Sequence, residues 1–90
     1  MKTKLNNIFD LQDKVIVITG AAGLLGKKHA EAIAAFGGIP ILLDLSQGEV
    51  TKVAEQLNDQ YGVKSMGFAV DITNETQVAE NVNLLVEEYG

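Results

Sequence analysis

The run Val15-Ile16-Val17-Ile18-Thr19-Gly20-Ala21-Ala22-Gly23-Leu24-Leu25-Gly26 constrains the fold more than any other part of the chain. An apolar segment of strand length passes directly into a turn with glycines at 20, 23 and 26, and an alanine-rich helical stretch follows. Without Cβ atoms the backbone can turn tightly, approach another group closely and set the helix against the strand. The first amides of that helix have no intrahelical partner, and its dipole favours negative charge. The segment therefore reads as strand, anion-binding turn and helix.

A glycine turn can be purely steric, so the next apolar run matters. Ile39-Pro40-Ile41-Leu42-Leu43 ends in Asp44, twenty-four residues after Gly20. A dinucleotide site places its ribose-binding acid about twenty residues on. A carboxylate there accepts hydrogen bonds from the adenosine ribose hydroxyls and repels a 2'-phosphate. The expected cofactor is NAD, with NADP disfavoured.

The rest of the chain continues the alternation. The first strand is read over about Lys14 to Thr19, without polar alternation, as in a strand covered by helices on both faces. A helix from about Gly23 to Phe36 ends at Gly37-Gly38. Ser46 and Glu49 form a capping-box pattern, and Val50, Val53, Ala54, Leu57 and Tyr61 then recur at helical spacing up to Gly62. Met66 to Val70 makes a third strand ending at Asp71. Thr73 or Asn74 caps a last helix with Val78, Val82, Leu85, Val86 and Tyr89 on its apolar face.

Strands separated by helices pair in parallel through right-handed crossovers, which predicts the spatial order third, second, first. The expected fold class is α/β: the N-terminal half of a Rossmann-like, doubly wound sheet in the order β-α-β-α-β-α. Residues 1–7 read as a polar tail and 8–90 as a partial dinucleotide-binding domain stopping before a fourth strand. One edge of Val15 to Ile18 would then lack a neighbour, so the isolated segment is expected to associate or order incompletely.

Composition closes off other classes. The chain has no cysteine and one histidine, His29, so thiolate chemistry and cysteine or multi-histidine metal sites are out. No acidic run has calcium-loop spacing. A net charge of -5 with no arginine argues against a nucleic-acid surface. No apolar run reaches membrane-spanning length, and the expected location is the cytoplasm.

These residues resemble the short-chain dehydrogenase/reductase family. The resemblance rests on Phe9-Asp10-Leu11-Gln12-Asp13-Lys14 leading into an apolar strand and Thr19-Gly20, on Asp44, on Asp71-Ile72, and on the closing Leu85-Val86-Glu87-Glu88-Tyr89-Gly90. It implies that the Asp71 carboxylate and the Ile72 amide contact adenine, and that an aliphatic residue at Leu25 lies against the cofactor. It also implies a tyrosine-lysine pair, a serine and an asparagine as catalytic groups. Neither Tyr61 nor Tyr89 has a lysine four residues later, so no catalytic residue is assigned in this chain.

The glycine spacing departs from the family's common Gly-x-x-x-Gly-x-Gly and resembles its extended branch of sugar-nucleotide epimerases and dehydratases. The segment from Gly48 to Gly90 looks like the short branch, which acts on alcohols and ketones. A non-catalytic nucleotide-binding module is the third alternative. The expected cofactor residues are Gly20, Ala22, Gly23, Leu24, Leu25, Gly26, Asp44, Leu45, Asp71 and Ile72. Asp44 and Asp71 could also be turn or capping residues, and Lys27 and Lys28 a solvated face or neighbours of a phosphate. The expected partners are the dinucleotide, a small-molecule substrate held by a C-terminal half, and further copies in a homo-oligomer.

Overall fold

A computed structural model describes residues 11–90; the polar tail over 1–7 and the Phe9-Asp10 part of the entry segment lie outside the described residues. The elements are β1 (Val15–Thr19), α1 (Leu24–Ala35), β2 (Ile39–Asp44), α2 (Gln47–Tyr61), β3 (Met66–Ala69) and α3 (Glu75–Tyr89). All six match the expected alternation. Their ends shift by a residue or so because pairing outlasts strand geometry: the Val70 amide, just past β3, still donates to the Asp44 carbonyl at 2.9 Å.

The strands form one parallel sheet in the order β1-β2-β3. This is the third-second-first order read from the opposite edge, with β2 central. Its residues alternate between two cores. Leu42 joins Ile18, Ala30 and Ala34 of α1, and Val50, Val53 and Leu57 of α2. Ile41 and Leu43 face the other way, onto Val70 and the α3 residues Val78, Leu85 and Tyr89. Ile41 and Leu42 are fully buried, each contributing about 1.5–3 kcal/mol of apolar burial.

β1 departs from expectation. Ile18 is buried, but Val15 and Val17 are exposed. Helix α3 lies over β2 and β3, so the second face of β1 has no cover among the described residues. The apolar run is real, and only one of its faces is packed.

Helix ends follow the sequence closely. The Gly37 and Gly38 amides donate to the Ala34 and Ile33 carbonyls at 3.0 and 2.9 Å, closing α1 in a Schellman arrangement. Ser46 Oγ accepts the Glu49 amide at 3.4 Å, and Asn74 Oδ1 accepts the Gln77 amide at 3.1 Å, which selects Asn74 over Thr73 as the cap. Asn74→Ala is expected to lower stability by about 1 kcal/mol in chemical denaturation. An unchanged midpoint would mean that the cap contributes nothing.

Gln47 guards the outer edge of β3. Its side-chain amide donates to the Gly67 carbonyl and accepts from the Ala69 amide, both at 2.9 Å, as a neighbouring strand would. No helix of the described residues is long and apolar enough to cross a membrane.

Candidate functional site

The amino end of α1 differs from those of the other two helices. Gly23 caps it without a side chain and its first turn has no acidic residue, whereas α2 has Ser46 and Glu49 and α3 has Asn74 and Glu75. The Gly23 amide donates to the Gly20 carbonyl at 3.2 Å, and the Lys27 amide to the Gly23 carbonyl at 3.0 Å. Between them, the amides of Leu24, Leu25 and Gly26 have no hydrogen-bond acceptor among the described residues. Unpaired donors at the positive end of a helix dipole favour a negatively charged group.

The outer glycines make this geometry possible. Gly20 has φ 64°, a left-handed conformation that side chains disfavour. A Cβ on Gly26 would stand 2.8 Å from Ala21 Cα and closer still to the Gly20 carbonyl oxygen. At Gly23 a Cβ would meet only the Gly20 oxygen, at 3.5 Å, an ordinary contact. Gly20 and Gly26 are therefore the sterically demanding pair.

Asp44 stands at the carboxyl end of the neighbouring strand. Its Oδ2 accepts the Ala22 amide at 3.0 Å and its Oδ1 the Leu45 amide at 2.7 Å. Ala22, expected among the cofactor residues, has its amide taken by Asp44. The Ala21 amide is likewise taken by the Leu43 carbonyl at 3.2 Å. The donors left for an anion are those of Leu24, Leu25 and Gly26.

One strand further on, Asp71 Oδ1 accepts both the Thr73 hydroxyl, at 2.6 Å, and the Thr73 amide, at 2.9 Å. The hydroxyl first and the amide second hold Asp71 below its ordinary value of 3.8, so it stays ionised across the neutral range. Gln77 Oε1 accepts the Asp71 amide at 2.9 Å. The Asp71 Oδ2 and the Ile72 amide have no partner among the described residues. Sequence reading missed the roles of Thr73 and Gln77, although the Asp-x-Thr spacing is a recognisable side-chain turn pattern.

The expected site residues thus collect at the carboxyl ends of three adjacent parallel strands, where open α/β sheets bind ligands. Large apolar side chains line the same end: Leu24 is 77% and Leu45 74% exposed, and Leu25 and Ile72 are also exposed. Lys28 pairs with Glu31 at 4.0 Å, and Lys27 lines a groove with Gln56 and Asp59 between α1 and α2. His29 is exposed. The Tyr89 hydroxyl donates to the Lys64 carbonyl at 2.6 Å, at the opposite end of the sheet, and burial, then Glu88, pushes its pKa up. Tyr61 packs against the core. Neither tyrosine faces the glycine turn.

The short chain dehydrogenase family matches residues 14–90. The chain belongs to that family. An NAD-dependent glycerol dehydrogenase of Listeria innocua is 38% identical over 80 residues, covering 89% of this chain and 28% of the relative. An NADPH-dependent 3-quinuclidinone reductase of Rhodotorula rubra superposes with TM-score 0.89 at 28% identity, over 100% of this chain and 34% of the other. A short-chain dehydrogenase/reductase of Burkholderia phymatum in complex with NAD gives TM-score 0.82 at 30% identity, over 90% and 28%. The chain thus spans about a third or less of the length of these relatives.

Proteins named for NAD and for NADPH both occur among these neighbours. The residues present fit such a dinucleotide. The unpaired amides suit a diphosphate, and Gly26 keeps the helix end close to the strand without a Cβ in the way. No group of metal-ligating side chains occurs among the described residues.

Proposed function

We propose that residues 8–90 are the cofactor-binding part of an NAD-dependent short-chain oxidoreductase that moves hydride between the nicotinamide and an alcohol or ketone. The observation that carries the reading is the row of unpaired amides at Leu24, Leu25 and Gly26 beside the Asp44 carboxylate. In this reading those amides hold the diphosphate and Asp44 accepts from the adenosine ribose. Gly20 and Gly23 shape the turn. Leu45 and Ile72 flank the adenine, whose exocyclic amine donates to Asp71. Leu24 and Leu25 cover the cofactor on the nicotinamide side.

The nicotinamide would donate or accept the hydride; the protein supplies binding and orientation. A proton donor or acceptor for the substrate oxygen is also required. Tyr61 and Tyr89 are engaged elsewhere, so we place that group, the substrate site and the contacts of a homo-oligomer in the remainder of a full-length cytoplasmic enzyme. The alcohol/ketone reading is preferred to epimerisation because the neighbours described above are dehydrogenases and reductases.

Cofactor choice follows from charge. A 2'-phosphate would sit against the Asp44 carboxylate, and like charges at contact range cost binding energy. Calorimetric titration of the full-length protein is expected to show NAD binding at least about tenfold tighter than NADP. Asp44→Ala should shrink that ratio toward unity. NADP binding as tightly as NAD to the wild type would overturn the preference.

A further inference from the structure

The Asp44 carboxylate is hydrogen-bonded to the glycine turn through the Ala22 amide. The β1-β2 ladder ends at the pair Thr19↔Leu43, and the Ala21 amide still reaches the Leu43 carbonyl at 3.2 Å. One residue later β2 is ending and offers no further backbone acceptor to the turn. The Asp44 side chain takes that place, accepting the Ala22 amide at 3.0 Å across a separation of 22 residues. The same residue's carbonyl accepts the Val70 amide at 2.9 Å, so Asp44 joins the carboxyl ends of all three strands.

A carboxylate offers about four lone-pair sites. The Ala22 and Leu45 amides occupy two of them. Two remain, which is what a vicinal diol needs. We infer that Asp44 is a positioning residue for the glycine turn, dividing its carboxylate between two backbone amides and two ribose hydroxyls. The second half of this inference rests on the ribose reading above; the first half rests on the hydrogen bonds alone. Asparagine cannot replace it. It has the same shape but one acceptor oxygen, and its NH2 would confront one of the two amide donors.

If Asp44 holds the turn, its loss weakens nucleotides that never touch it. Nicotinamide mononucleotide carries a phosphate and lacks the adenosine, so a residue that only binds the adenosine ribose leaves its affinity unchanged. The experiment compares cofactor-free, full-length wild type, Asp44→Ala and Asp44→Asn by residue-resolved amide hydrogen exchange, and titrates each with nicotinamide mononucleotide and with NAD.

In both variants the Ala22 amide is expected to exchange at least about tenfold faster, with Ala30 in mid-α1 unchanged, and mononucleotide affinity to fall about tenfold. A wild-type Ala22 amide exchanging at the rate of an unstructured peptide would overturn the inference, whatever the variants do. So would unchanged mononucleotide affinity in a folded Asp44→Asn protein; if NAD affinity then still fell, the ribose reading would survive alone. Equal losses for NAD and the mononucleotide would support the positioning role and remove the ribose contact.

Discussion

Replacing Gly26 by alanine is expected to weaken NAD binding by about 100-fold and to lower the melting temperature of the cofactor-free protein. The new Cβ would lie 2.8 Å from Ala21 Cα and still nearer the Gly20 carbonyl oxygen, both backbone atoms that cannot rotate aside. The amino end of α1 must then move off β1, at an overpacking cost of about 1–3 kcal/mol. The unpaired amides of Leu24, Leu25 and Gly26 move with it, and hydrogen bonds to an anion tolerate only a few tenths of an ångström. Thermal unfolding with and without NAD reads both effects. A bound ligand at 100 times its Kd stabilises by about 2.7 kcal/mol, and most of that shift should vanish in the variant. Wild-type NAD affinity in Gly26→Ala would remove the steric basis of the site.

Gly67→Ala should be the most destabilising single-methyl change in the sheet. A Cβ at Gly67 would sit 2.6 Å from both the carbonyl carbon and the carbonyl oxygen of Val50, in the first turn of α2. Val50 is fully buried and belongs to the core that unites α1, α2 and the sheet. Relief requires lifting α2 from β3, which also pulls Gln47 from its bonds to Gly67 and Ala69. The expected loss is about 3 kcal/mol in urea unfolding. Gly48→Ala provides the contrast. A Cβ there meets nothing within 4 Å and lies in the same helix, so stability should stay level or rise by up to about 1 kcal/mol. Equal effects at the two positions would show that helix propensity, not the approach of α2 to β3, governs Gly67.

The two glycines differ in how far they could be read from the chain. Gly26 closes a spaced triplet behind an apolar strand, and its role was legible because strand, turn and helix are contiguous. Gly67 sits alone in a short strand, and nothing local says that Val50 will lie against it. Asp44 falls between them. Its place at a strand end marked it as a ligand residue, but the bond to the Ala22 amide joins segments 22 residues apart and left no local trace. The adenine role of Asp71 is an expectation from resemblance, while the Thr73 and Gln77 contacts that hold it depend on α3 starting at Glu75 behind its Asn74 cap.

The order of elements, the parallel pairing, the Ser46 cap and the positions of the glycine turn and of Asp44 follow from the sequence alone, because apolar periodicity, cap residues and strand ends are local properties. Which face of β1 is packed, which turn amides remain free and how the Asp44 carboxylate is shared were decided by tertiary structure. Each depends on where a distant backbone group comes to rest. Hydrogen-bond donors are spent or spared by neighbours in space, and the pattern along the chain does not say which neighbour arrives first.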